Sequence, residues 1–422
     1  MSNRNYSLLI FFVFAVIYTI GSFDKVPFGD CIGFVLTTEY GEFVKSATAT
    51  SHFLYINAAV LIKKLFQTDG ISANRILVIL SAAGTVTALF HTALLITKKT
   101  WIAIVASFVF GFSFTFWRNA EIVEVYTFFG FWITLFLYSA LKPFFSDGSK
   151  PGAIIWSGIF LSCALLTHIQ GIFLIPTFFV LLYYLRKHRM AVIAGTGILV
   201  CTFLAIIALN TWENLPFNSF YSSGHGDWVA NSFRKNPTEY LQDLIKAGAY
   251  LIYNFNIFVI AGIIGTIVLY AKHRKVFWIV APLAVLNFGF GTFYAVSDNY
   301  IFFLPFNILF AVGIAFGLTQ LPKQTKLRQL SFLVLLTPLL YFAAFTIASG
   351  SEKSQNFRIQ KAYKGGLTYY LLPWMNNNVG IIEFTMDKKT APEPIHWMTR
   401  IAEEYIVLHK AKGKTDGEIR EL

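Results

Sequence analysis

Charge is scarce in this 422-residue chain: 13% of its residues are Asp, Glu, Lys or Arg, while 56% are hydrophobic. A soluble fold of that size would lack the polar side chains to cover its surface, so the solvent of most of the chain is lipid. Cysteine is sparse too. Cys31, Cys163 and Cys201 are too few and too scattered for a disulfide framework, and the last two fall in apolar runs. There is no phosphate-binding glycine loop, paired-histidine metal helix or nucleophile elbow, which removes the commonest soluble-enzyme signatures. Internal repeats and low-complexity segments are missing. The first apolar run, 6–23, is followed by no small-residue cleavage motif and reads as a retained span rather than a signal peptide.

What is present in quantity is apolar sequence in lengths that fit a bilayer. Stretches of roughly 17 to 23 residues recur, the length a helix needs to cross about 30 Å of hydrocarbon. Only helices and closed barrels satisfy the backbone in lipid. Runs such as Trp101 to Trp117 and Phe302 to Leu318 are almost continuously apolar rather than alternating, which favours helices. The chain is expected to be an all-α polytopic integral membrane protein with about 11 transmembrane helices, near 6–23, 76–97, 101–117, 122–141, 153–168, 171–185, 190–209, 248–270, 276–295, 300–319 and 330–348. The net charge of +12 sits in clusters between spans rather than along one polar face, so it reads as a topology signal and not as a nucleic-acid surface. With Arg4 in the cytoplasm, Lys98-Lys99, Lys142 with Lys150, Arg186 to Arg189, Lys272 to Lys275, and Lys323 with Lys326 and Arg328 all fall on cytoplasmic connections. A missed or invented span would invert the later half of that pattern.

The opposite face has two long external loops, 24–75 and 210–247, and, beyond a transmembrane domain over 1–348, a polar tail or small cap domain over 349–422. Within the first loop, His52 to Phe66 has the pattern of an interfacial amphipathic helix. In the second, His225, Asp227 and Trp228 precede an Asn236-Pro237-Thr238 turn that opens a helix from Thr238.

Ionisable side chains at membrane depth are costly, and three groups on this face are candidates for chemistry. The first is Gly29-Asp30, followed by Glu39, Glu42 and Ala49 to Tyr55 with His52; its plainer reading is a solvated acidic loop. The second is Phe112 to Tyr126, where one span turns directly into the next. Glu121 and Glu124 are expected to share a helix face with Arg118, and a self-paired interfacial salt bridge is the plainer account. Against it, Glu124 lies in the following apolar run, where a carboxylate should face a cavity or the bundle interior. The third is Leu166 to Gln170 with His168, together with the turn Asp298-Asn299-Tyr300. A lone interfacial histidine is more often a hydrogen-bonded structural residue than a catalyst. Position argues for it: Asp30, Arg118, Glu124, His168, His225 and Asp298 all map to one membrane face, so a shared site is geometrically possible.

On those residues the sequence resembles the protein O-mannosyltransferase-like membrane family of the C-type glycosyltransferase superfamily, which uses polyprenyl-phosphate sugars. Phe112 to Phe129 is similar to the family's FSHTFW-x-x-A-x-x-AEVYT signature, with Trp117, Glu124, Val125, Tyr126 and Thr127 in register. Gly158 to Pro176, with His168, resembles GLSLTNH…LLLP; Gly29-Asp30 matches the start of GDSGEF, and Asp298 to Pro305 a segment ending in FFLP. HPPGYPLY is replaced by the proline-free Ala49 to Tyr55, and SGEF by Cys31-Ile32-Gly33-Phe34, which puts donor and acceptor choice in question. Coverage is best over 6–190 and weaker to about 320.

The resemblance implies a C-type glycosyltransferase architecture with a long first external loop, and Asp30 as the general base of a one-step inverting displacement of polyprenyl phosphate. Arg118 and His168 are then candidates for the donor phosphate, and Glu124, Tyr126, His52 and Asp298 for sugar or acceptor. The implied reaction moves a sugar, mannose by the resemblance, from a polyprenyl-phosphate carrier to Ser/Thr hydroxyls of exported proteins. No cofactor beyond that lipid-linked donor is expected. Asp30, Glu39 and Glu42 lack the spacing of a divalent-cation site, and no metal is assigned.

Other readings stay open. The same chemistry on a glycan or lipid acceptor is not separable by sequence. A secondary transporter would place charges near the midplane and show paired broken spans in two halves, whereas mid-span ionisable residues here are few, His91 foremost; a non-catalytic membrane scaffold is the remaining class. The expected location is a bacterial inner membrane with the site facing the periplasm, the endoplasmic reticulum lumen being the alternative. The one permitted N-glycosylation triplet, Asn5-Tyr6-Ser7, is cytoplasmic by this topology, and Asn236-Pro237-Thr238 is disqualified by its proline.

Overall fold

Lipid leaves each apolar run to satisfy its own backbone, and each does so as a helix. The computed structural model describes residues 2–146, 150–221, 228–296, 299–321, 325–376 and 378–422, and no strand occurs among them. Among the described residues, eight helices are long and apolar enough to cross a membrane: Asn3–Gly21, Gly70–Thr97, Tyr126–Phe145, Lys150–Thr167, Arg189–Trp212, Arg274–Phe293, Asn299–Leu318 and Arg328–Ser349. Two bent pairs raise the number to ten, and the expected span 171–185 is a shorter apolar helix, Ile169–Tyr184.

Three expected spans differ from their sequence bounds. The run 101–117 breaks at Phe112-Ser113, where Thr100–Gly111 and Phe114–Ala120 meet at 70°. The run 248–270 belongs to two helices, Pro237–Phe255 and Phe258–Lys272, which meet at 105° around Asn256, whose φ is 42°. The first of these opens with an Asn236–Glu239 capping box and exposes Leu241, Leu244, Ile245 and Ile252, the pattern of a helix lying along an apolar–polar boundary. The run 122–141 becomes helical only at Tyr126, so Glu121 to Val125 form an irregular stretch and the expected shared helix face of Arg118, Glu121 and Glu124 does not exist.

The helices pack closest where they have no side chains. A Cβ on Gly265 would lie 1.7 Å from the Gly313 carbonyl oxygen, and one on Gly317 would lie 1.9 Å from that of Ala261, so Phe258–Lys272 and Leu304–Leu318 touch backbone to backbone. His91 is tied to Ser7, with Oγ and Nε2 2.9 Å apart, a structural use of a mid-span histidine.

The first long connection runs only to Asp69, which caps Gly70–Thr97, and contains an unexpected helix, Cys31–Tyr40, before the expected one, here Phe53–Phe66. Of the second connection, His225 and Asp227 lie outside the described residues, and Trp228–Ser232 is a short helix. The tail forms the helices Glu352–Gln360, Gly366–Leu371, Ile381–Met386, His396–Ala411 and Asp416–Arg420, of which His396–Ala411 packs on Cys31–Tyr40. This packing corrects the reading of Glu39 as a solvated loop carboxylate. Glu39 is buried, accepts from the Gly70 N–H and from Lys412 Nζ at 2.5 Å each, and has Lys63 Nζ at 3.5 Å. Burial raises its carboxyl, but these hydrogen bonds and charges bring it below the ordinary range.

Candidate functional site

Asp30 stands exposed at the start of Cys31–Tyr40, with φ −67°, and its side chain does not cap that helix. Gly29 before it has φ 134°, which L side chains rarely adopt, and a Cβ there would lie 3.9 Å from Glu124 Oε1. The buried Cys31 thiol donates to that same oxygen at 3.6 Å. Burial pushes this thiol well up, and the carboxylates of Glu124 and then Asp30 add to it, so it is a packed thiol rather than a nucleophile. Tyr55, from Phe53–Phe66, is fully buried with no hydrogen-bond partner for its hydroxyl among the described residues, and burial and then the nearby Glu124 hold that hydroxyl protonated. The irregular stretch 121–125 is what lets Glu124 reach this corner.

His52 and His168 come from different segments and stack, centroids 5.3 Å apart and planes at 18°. His168 also meets the rings of Tyr126 at 5.4 Å and Phe302 at 6.4 Å. Partners set the tautomers. His52 Nδ1 faces the Thr167 carbonyl at 3.1 Å and must donate, whereas His168 Nδ1 accepts from the Gln170 N–H at 3.1 Å, which leaves its proton on Nε2. His52 has φ 43°, an uncommon backbone for a non-glycine residue, held by these contacts and by Phe34, 5.3 Å away.

Both histidines are 8% exposed. Burial pushes His52 down to about 4 despite the Thr167 hydrogen bond, and burial and then His52 hold His168 well below the usual range. Both are therefore neutral when folded, whereas an unfolded histidine takes a proton near pH 6.5. Between about pH 6.5 and 4 the unfolded state binds more protons, so stability is complete above that window and is lost as pH falls through it. For His52 alone the loss approaches about 3 kcal/mol at pH 4. His52→Asn suits the left-handed backbone and should flatten the fall in Tm between pH 7 and 4; an unchanged slope would place the titration elsewhere.

Arg118 is 1% exposed. Its Nε donates to the Tyr300 hydroxyl at 3.0 Å and Nη1 to the Tyr369 carbonyl, while the Tyr369 ring lies 3.9 Å from the guanidinium carbon and the Phe23 ring 5.5 Å from it. Nη2 is buried without a partner among the described residues. The self-paired salt bridge is absent, since Glu121 instead accepts from Trp117 Nε1. No carboxylate among the described residues is hydrogen-bonded to this buried guanidinium.

The segment Asn299–Phe303 joins these groups: Tyr300 meets Arg118, and Phe302 meets Tyr126 and His168 and accepts from Gln170 Nε2 through its carbonyl at 2.8 Å. Asp298, just before it, lies outside the described residues. Asp30 and Glu124 thus form one corner, His52, His168 and Tyr126 a second, and Arg118 a third. Sequence reasoning placed Tyr55 in the first candidate group without giving it a role, and missed Tyr369. The signal for Tyr369 was a glycine pair, Gly365-Gly366, ahead of two tyrosines in an otherwise polar tail. Among the described residues no three metal-ligating side chains converge.

No protein-family model matches the chain, and no curated protein matches it by sequence. Solved structures do, and what they define is a polytopic all-helical fold shared with ArnT. The structure of ArnT from Cupriavidus metallidurans bound to undecaprenyl phosphate matches with a TM-score of 0.59 at 16% identity, over 82% of this chain and 65% of that one. The same protein in its apo state matches with the same score and identity over 83% and 66%. The chain thus spans 65–66% of the length of those ArnT structures. The Archaeoglobus fulgidus oligosaccharyltransferase, solved with zinc and sulfate, aligns over 87% of this chain and 57% of its own at 12% identity, with a TM-score of 0.47.

Proposed function

We propose that the chain is an inverting glycosyltransferase that moves a sugar, mannose, from a polyprenyl-phosphate carrier to Ser or Thr hydroxyls of exported proteins. The observation behind this reading is the pairing of an exposed carboxylate, Asp30, beside Glu124, with a buried guanidinium whose Nη2 has no partner among the described residues. The fold shared with ArnT, a protein whose structure holds undecaprenyl phosphate, supports the donor class.

In this mechanism Asp30 accepts the proton of the acceptor hydroxyl as that oxygen bonds to the anomeric carbon. The bond from that carbon to the donor phosphate breaks with its electron pair on the phosphate, and polyprenyl phosphate leaves from the opposite face; one displacement inverts the configuration. Arg118 stabilises the departing charge. His168 contributes a neutral Nε2–H donor rather than an imidazolium, because its ring is too buried to be charged. Glu124, Tyr126 and His52 orient sugar or acceptor hydroxyls, and Asp298 belongs to the same proposal through its neighbour Asn299–Phe303. The lipid chain lies in the bilayer, which is why the site sits at the ends of membrane helices. Basic clusters at the opposite helix ends support a non-cytoplasmic site, which in this reading faces the periplasm of a bacterial inner membrane.

The test is transfer of labelled mannose from polyprenyl-phosphate-mannose by the purified protein, with an exported protein, a glycan and a lipid offered as acceptors in parallel. Label on Ser or Thr with release of polyprenyl phosphate is expected. Label only on the glycan or lipid would change the acceptor class, and no transfer from any polyprenyl-phosphate sugar would end the reading.

A further inference from the structure

We infer that the polar tail is a working part of the site: a strap entering at Tyr369 holds the Arg118 guanidinium in place, which makes Tyr369 a positioning residue for the donor phosphate. The inference rests on the reading of Arg118 as a donor-phosphate group. It assigns a role to a segment, 349–422, whose composition alone says only that it is polar.

The strap is built by backbone geometry first. Gly365 and Gly366 have φ of 110° and 63°, and a Cβ on Gly365 would lie 2.1 Å from Met375 Cε, so the chain turns sharply into Gly366–Leu371 only with glycine there. That turn delivers Tyr369 flat against Arg118, ring to guanidinium carbon at 3.9 Å, while the Tyr369 carbonyl accepts from Nη1. The Tyr253 hydroxyl donates to the Leu371 carbonyl, which anchors the turn to the membrane bundle.

The same strap continues past the site to the segment that presents Asp30. Trp374 packs on Trp117, the neighbour of Arg118, with ring centroids 5.2 Å apart. The Asp24 N–H donates to the Asn376 carbonyl at 3.2 Å, Asn378 Nδ2 donates to the Lys25 carbonyl at 3.1 Å, and the Ile381 N–H donates to the Val26 carbonyl at 2.9 Å. Residues 24–26 are thereby fixed a few positions before Asp30. One piece of the tail spans the base and the phosphate-binding arginine.

The ring matters because a guanidinium on a desolvated aromatic face is held in one plane. Nε and Nη1 are committed to Tyr300 and to the strap, so Nη2 is the N–H group left for an anion. Without the ring, water reaches the guanidinium, the side chain gains rotamers, and Nη2 loses its direction. The Tyr369 hydroxyl adds a contact to the same guanidinium, so ring face, hydroxyl and backbone carbonyl hold it together.

The experiment measures undecaprenyl phosphate binding, and donor KM and kcat, for the full-length protein in nanodiscs as wild type, Tyr369→Ala, Tyr369→Phe, Arg118→Met and the Tyr369→Ala/Arg118→Met double variant. Tyr369→Ala is expected to weaken binding roughly tenfold and to raise donor KM in parallel, with kcat changed less than about threefold. Tyr369→Phe, which keeps the ring and the carbonyl but not the hydroxyl contact, should lose less than Tyr369→Ala, and the double variant should bind no more weakly than Arg118→Met. Unchanged or tighter binding by Tyr369→Ala would overturn the inference, tighter binding meaning that the ring covers the arginine instead of aiming it. A lowered Tm with unaltered affinity, or losses that add in the double variant, would overturn it as well. Failure of the wild type to bind undecaprenyl phosphate is a separate result, read before any variant, and removes the lipid-phosphate reading itself.

Discussion

Asp30→Asn is expected to lower sugar transfer by about 10²- to 10⁴-fold, the usual contribution of a positioned general base. The substitution keeps the size and hydrogen-bonding oxygen of the side chain and removes its basicity. Stability should change little, because Asp30 is exposed and its side chain does not cap Cys31–Tyr40. A Tm within about 1 °C of wild type, a shift worth only a few tenths of a kcal/mol, is therefore the control that gives the rate its meaning. Glu124→Gln provides the comparison. Glu124 is part-buried and takes the Cys31 thiol, and under the proposed mechanism it orients rather than abstracts, so its loss should cost about tenfold. Single-turnover measurement with labelled donor checks both. If Glu124→Gln proves the more damaging variant, the base is Glu124 and the mechanism must be redrawn around it.

Gly265→Leu should abolish or nearly abolish folded protein, with a loss of at least about 3 kcal/mol. The cause is the backbone contact between Phe258–Lys272 and Leu304–Leu318. Even a Cβ on Gly265 would lie 1.7 Å from the Gly313 carbonyl oxygen, so the helices would have to part by more than an ångström before any larger side chain is placed. Because the second helix continues from Asn299–Phe303, which meets Arg118 and His168, parting it from its neighbour also disturbs the site. Two other glycines grade the effect. A Cβ on Gly313 would lie 3.3 Å from the Gly262 carbonyl oxygen, so Gly313→Ala should be tolerated with a modest loss. Gly248 has nothing within 4 Å, and Gly248→Ala should be neutral or stabilising by up to about 1 kcal/mol through helix propensity. Monodisperse yield and Tm in detergent should follow that order; equal losses at all three positions would show that close approach is not what these glycines provide.

Several errors of reading share one cause. Periodicity marks where apolar chain is long enough to span, but a bend of 70° or 105° adds no apolar residues, so the breaks at Phe112-Ser113 and Asn256 were invisible. Glu124 looked like part of a span because Ile122, Val123 and Val125 around it are apolar, yet those residues form an irregular turn. Glu39 looked solvated because its partners, Lys412 and the Gly70 N–H, are far along the chain or in the backbone.

By itself the sequence determined the solvent of this protein and the approximate positions of its membrane helices. Those follow from local composition: apolar length, basic clusters and polar residues at span ends are properties of consecutive residues. Only the tertiary structure decided which polar residues meet. Cys31, the neighbour of Asp30, on Glu124, His52 stacked on His168, and Arg118 held by a tail residue about 250 positions away in the chain are contacts of high sequence separation, and nothing in the local pattern of one partner encodes the other. The charge states were decided there too, because burial, not residue type, keeps His52 and His168 neutral.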